Sequence, residues 1–163
     1  MRRLLPVAVF TSASLGGLIA AVHSQASSIR GVWRTAEVKL TGPNAATFTQ
    51  TPSLGIITAK YYSRVEIHGD PRRPDLPDAA KATADELRAT WGPFFAEAGT
   101  YEVSGGNVLT MHPLITKNPA AMNSGWFVTY TYRLDGDTLW LTEQRNQRGP
   151  IASPTTIKLT RVE

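Results

Sequence analysis

From Ile57 to His68 the chain alternates without a slip. Ile57, Ala59, Tyr61, Ser63, Val65 and Ile67 are interleaved with Thr58, Lys60, Tyr62, Arg64, Glu66 and His68. Successive side chains of a β-strand point to opposite faces, so this run fits a sheet with one buried and one wet face and fits no helix. The expectation is that the apolar set turns to the core. The run is long enough for one bent strand or for two strands joined by a tight turn.

The same two-residue period recurs along the chain. In the stretch from Ile29 to Leu40, Val32, Ala36, Val38 and Leu40 recur mostly at every second position, and Gly42-Pro43-Asn44 comes next as a turn. Thr100–Ser104 turns through Gly105-Gly106-Asn107 into Val108–Ile115, a hairpin signature. Trp126, Val128, Tyr130, Tyr132 and Leu134 alternate with Phe127, Thr129, Thr131 and Arg133, and Asp135-Gly136 turns the chain into Thr138–Glu143. A polar connection from Gln144 to Pro154 leads to a last strand over Thr156–Val162.

Two segments break the pattern. Gly69–Pro77 carries three prolines and is a loop. Thr83 and Glu86 then have capping-box spacing, and Leu87, Trp91, Phe94, Phe95 and Ala98 form one stripe at helical period. Gly92-Pro93 is expected to kink or split this helix, whose stripe would plug or gate one barrel end. About eight strands joined by short turns, with one inserted helix, predict a mainly β fold: an antiparallel up-and-down barrel, closed because closure removes exposed edges.

Residues 1–26 have the three parts of a secretory signal: Arg2-Arg3, a largely apolar stretch from Leu4 to Ala21, and small residues at Ser24 and Ala26 before a cleavage point. Pro6, Gly16 and Gly17 dilute the apolar run, so cleavage rather than a stable membrane anchor is expected. The Arg pair comes directly after Met1, which favours the Sec route over twin-arginine export. The reading is therefore a signal peptide over 1–26, one domain over 27–163, and a periplasmic or secreted location.

Composition narrows the chemistry. The net charge of +4 falls to +2 once Arg2 and Arg3 leave, too mild for a nucleic-acid partner. With no cysteine, disulfides, thiolate chemistry, zinc–thiolate sites and iron–sulfur ligation are excluded. His68 and His112 lie in separate segments without metal-ligand spacing. There is no G-x-S-x-G, Walker or G-x-G-x-x-G motif, and no cofactor is expected.

The order of elements, with Gly31-Val32-Trp33-Arg34 near the start and Leu159-Thr160-Arg161-Val162 near the end, resembles the lipocalin-like domain family, small bacterial calycin-type barrels. Gly99-Thr100-Tyr101-Glu102-Val103 before Val108 and His112 is similar to its middle hairpin. Gly125, leading to Asp135-Gly136-Asp137-Thr138-Leu139-Trp140-Leu141, is similar to the next one. Ala59-Lys60 departs from the Gly-containing early turn of the family, and the T-D-Y motif of true lipocalins has no match. The resemblance implies that Trp33 packs under Arg161 and that Gly31, Trp33 and Arg161 are structural. It implies a shape rather than a reaction.

Candidate site residues emerge from the alternation. His112 shares a strand face with Val108, Thr110 and Leu114; if that face lines the barrel, its imidazole meets an apolar pocket and suits acid–base work. Otherwise it is a histidine bonded within the fold. Trp126, Tyr130 and Tyr132, joined by Tyr61, form either a binding wall or ordinary core. Arg133, Glu143 and Glu102 are either a polar patch at a barrel mouth or a solvated face. Three functions compete: a barrel binding a small apolar or amphipathic ligand in its interior, a small isomerase, cyclase or hydratase using His112, and an envelope interaction protein with a filled core and an exposed patch such as Phe127 and Trp140. Oligomeric state is left open.

Overall fold

The computed structural model describes residues 29–49, 52–69 and 72–163; the expected signal peptide lies outside them. Its strands are β1 (Gly31–Leu40), β2 (Ala46–Thr49), β3 (Ser53–Ile57), β4 (Tyr61–Ile67), β5 (Phe94–Ser104), β6 (Val108–Thr116), β7 (Val128–Asp135), β8 (Thr138–Asn146), β9 (Gly149–Pro150) and β10 (Thr156–Arg161). Two helices, α1 (Ala84–Trp91) and α2 (Pro119–Asn123), and a 3-10 turn at Gly42–Asn44 complete the described chain. Eight strands close an antiparallel up-and-down barrel in the order β1, β3, β4, β5, β6, β7, β8, β10, and β10 returns to β1. The short β2 and β9 hang on β1 and β8.

Closure rests on β10. It pairs with β8 from Thr156↔Thr142 to Thr160↔Thr138 and with β1 from Trp33↔Arg161 to Lys39↔Thr156. Inside, Ile29, Trp33, Leu109 and Leu139 are wholly buried, and Met111, Tyr132, Leu141 and Ile157 pack with them in one cluster. The Trp33 indole N–H donates to the Ile29 carbonyl at 2.9 Å. Over the ring lies the Arg161 guanidinium, 4.2 Å from its centroid, donating in turn to the Arg30 carbonyl at 2.5 Å.

The Ile57–His68 run divides into β3, a turn at 58–60, and β4, and the turn inverts the expected faces. Ile57 and Tyr62 are cross-strand partners, and directly opposite residues share a face. Tyr62, Arg64 and Glu66 therefore turn inward. Tyr61 and Val65, expected in the core, face out. Of the apolar set, Ile57 is in the core as expected and Ile67 is buried at the end of β4, while the residues between them stand on the outer side.

The helix is also shorter than the stripe predicts. Thr83 caps α1 through a reciprocal box with Glu86, whose carboxylate accepts from the Thr83 N–H at 2.7 Å. α1 ends at Trp91, and Phe94, Phe95 and Ala98 belong to β5, where they pair with Ile67, Glu66 and Ser63. Pro93 lacks an N–H to continue the helix, and the edge of β4 offers backbone partners to the residues after it. No residue of α1 is buried, so the expected plug is absent.

Candidate functional site

Inversion of β4 carries polar side chains into the barrel. The β4–β5 register sets Arg64 opposite Glu97 and Glu66 opposite Phe95; the β7–β8 register sets Tyr130 opposite Glu143. The apolar cluster around Trp33 thus gives way to a polar layer. Between the two is a void of about 40 Å³, room for no more than a water or two.

Beyond that layer the barrel opens. A cavity of about 550 Å³ is walled by Phe95, Trp126, Val128 and Tyr130, with Arg64, Glu97 and Glu143 on its inner side and α2 and Arg148 at its rim. This volume lies within the range of small-molecule sites. Arg148 sits 5.4 Å over the Trp126 ring, and Arg64 sits 4.5 Å over Phe95.

The carboxylates of this layer are each occupied. The Tyr62 hydroxyl donates to Glu97 Oε1 at 3.0 Å. Glu66, nearly sealed from solvent, accepts from His68 Nε2 at 2.8 Å and from the Thr35 hydroxyl at 3.4 Å. Glu143 accepts from the Thr155 N–H at 3.0 Å. Burial by itself would raise the Glu66 pKa, yet the His68 hydrogen bond and the Arg64 charge hold it below the ordinary carboxylate range.

Two donors are not occupied. Arg64 Nε lies 3.5 Å from Glu97 Oε1, an ion pair, but makes no hydrogen bond among the described residues. The Tyr130 hydroxyl has none among them either, and burial pushes its pKa up to about 12, so it stays a neutral donor at physiological pH. Burial and then the Glu97 carboxylate likewise keep Tyr62 protonated. Among the described residues no group of three or more His, Asp or Glu is placed to hold a metal ion.

The sequence-derived candidates scatter around this frame. Trp126 and Tyr130 meet in the mouth cavity, while Tyr132 lies deeper in the core with its hydroxyl donating to the Gly106 carbonyl at 3.3 Å. Tyr61 stands outside the barrel, 56% exposed; its neighbour Tyr62 takes the inner position. His112 also stands outside, because Leu109 and Met111 are the inward residues of β6. Its ring lies 6.2 Å from Phe127 and its Nε2 4.0 Å from Glu102, and the structure does not bring it together with Tyr130 or Glu143.

Arg133, Glu102 and Glu143 do not meet either. Arg133 covers Trp140 at 3.5 Å, Glu102 is exposed and Glu143 points into the cavity. What residue-by-residue reading missed is the set Arg64, Glu66 and Glu97. Their only signal was charge in the middle of a strand flanked by apolar neighbours, which normally marks the wet face.

No family model matches the chain, and no curated protein matches it. Among solved structures it is similar to a redesigned beta barrel, at 15% identity over 85% of this chain and 96% of that one, with a TM-score of 0.41. It is also similar to a de novo designed fluorescence-activating beta barrel, at 11% identity over 83% and 95%, with a TM-score of 0.40. No particular family is identified by these likenesses; what stands for this chain is a closed, eight-stranded, antiparallel up-and-down barrel.

Proposed function

We propose that this protein is an exported binding barrel that holds a small amphipathic molecule at its mouth rather than in its packed centre. The carrying observation is a cavity of about 550 Å³ with aromatic walls, bordered by the Tyr130 hydroxyl and by Arg64, whose buried Nε is ion-paired with Glu97 but makes no hydrogen bond among the described residues. A buried donor left unsatisfied costs about 1–3 kcal/mol, which a ligand oxygen would recover. Trp126, Phe95 and Val128 supply contact area for the apolar part of the ligand. Glu97 and Glu66, which face Arg64, already have donors of their own, so they orient it without competing for the ligand. His112, on the outer face, takes no part.

Native mass spectrometry of the protein purified gently from the cell envelope or medium tests this reading. The expected spectrum shows residues 27–163 carrying an extra mass of small-molecule size. That mass should be lost in Arg64→Met and in Trp126→Ala, both with unchanged circular dichroism. Retention of the mass in both folded variants, or a bare protein even after incubation with a total lipid extract, overturns it. An unprocessed chain starting at Met1 overturns the export half alone.

A further inference from the structure

The inverted face of β3 and β4 continues across the barrel wall. Ile56, Ser63, Ala98 and Ile115 succeed one another in register over β3, β4, β5 and β6, and Leu54, Val65 and Ala96 run beside them. All point outward. Leu54, Ile56 and Val65 are 45%, 41% and 41% exposed, and Leu114 and Ile115 are 57% and 67% exposed. No charged side chain lies within these two rows. Lys117, at their edge, is tied to the Trp91 and Gly92 carbonyls.

An antiparallel sheet with one wet face should alternate apolar-in and polar-out, yet on this quarter of the wall the outward residues are apolar as well. We propose that the outer face of β3–β6 is a two-fold interface with a second copy of this chain. The relief suits such a symmetry. Ser63, Ala96 and Ala98 form a trough of small residues between a Leu54–Ile56–Val65 ridge and a Leu114–Ile115 ridge. A two-fold contact requires ridge and trough on the same patch, so that each copy seats its ridge in the trough of the other. Shallow depressions open to solvent lie along the trough, one against Ser63, Ala98 and Ile115 and one against Ser63, Ala96 and Ala98.

The extent suits it too. With Tyr61 and Trp91 the exposed side chains amount to something on the order of 700 Å², near the roughly 800 Å² each partner contributes to a standard interface. Soluble monomers seldom leave a patch larger than a few hundred Å². Two such faces would stack as sheets about 10 Å apart with interdigitating side chains.

Sedimentation equilibrium of the purified protein tests the proposal, with Ile115→Lys and Ser63→Arg as variants. The first buries a charge in the contact; the second fills the trough without removing an apolar group. Twice the monomer mass for the wild type, and monomer mass for either variant with native circular dichroism, supports the interface. A wild type that remains monomeric at the highest soluble concentration overturns it, as does a dimer that both folded variants retain. A monomer that floats with phosphatidylcholine–phosphatidylglycerol vesicles assigns the face to lipid and also overturns it. Because the site mutations Arg64→Met and Trp126→Ala lie inside the barrel, loss of ligand and loss of the dimer read out separately.

Discussion

Glu66 shows how much a single side chain inside this barrel depends on its company. Its carboxylate is nearly sealed from water and stays ionised because His68 and Arg64 face it. Its folded pKa lies below the unfolded value near 4.3, so its contribution is complete above that value and fades as pH falls through the folded pKa. Glu66→Gln is therefore expected to cost about 1–3 kcal/mol at neutral pH and to approach the wild type in strongly acid solution. Urea unfolding at pH 7 and at stepped acid pH checks this; a penalty independent of pH would show that the charge of Glu66 is not what stabilises. Residue identity was the least legible level of the sequence. Glu66, Arg64 and Tyr62 carry no mark that distinguishes an inward polar residue from a wet one, and their face was decided by the pairing of Ile57 with Tyr62 across the turn.

The strands themselves were easier to read than their faces. β7 and β8 were visible in their alternation and in Asp135-Gly136, and the hairpin of β5 and β6 in Gly105-Gly106-Asn107. Where the reading slipped, two periods overlapped: Leu87 to Ala98 satisfies a helical stripe, but Phe94 to Ala98 satisfies a strand equally well, and tertiary pairing with β4 chose between them. Within β5, Gly99 sits at a bulge where the register to β6 shifts. A Cβ there would lie 2.0 Å from the His112 carbonyl oxygen and 2.9 Å from the Pro113 Cα, all of it backbone. Gly99→Ala should thus force β5 and β6 apart and cost upwards of about 2 kcal/mol, read as a lowered urea midpoint. A change within experimental scatter would show that the bulge can slide.

At the scale of the whole molecule, barrel closure was legible from the strand count and the spacing of turns, whereas the exposed apolar quarter was not, since nothing local says which face of a sheet meets solvent. Closure makes the barrel depend on β10, which bridges β1 and β8. Removing 156–163 leaves both of those strands with an open edge, and the expected product is an aggregating chain without a cooperative melt rather than a slightly weakened barrel. A soluble truncated protein with a sharp calorimetric transition would argue instead that seven strands suffice. There is a temporal side to the same arrangement. Synthesis delivers β10 after both of the strands it joins, so a nascent chain can collect hairpins in sequence but cannot seal itself before β10 has emerged. Until then it is an open ribbon with two unpaired edges, and a single late pairing event turns a sheet with two ends into a wall with none.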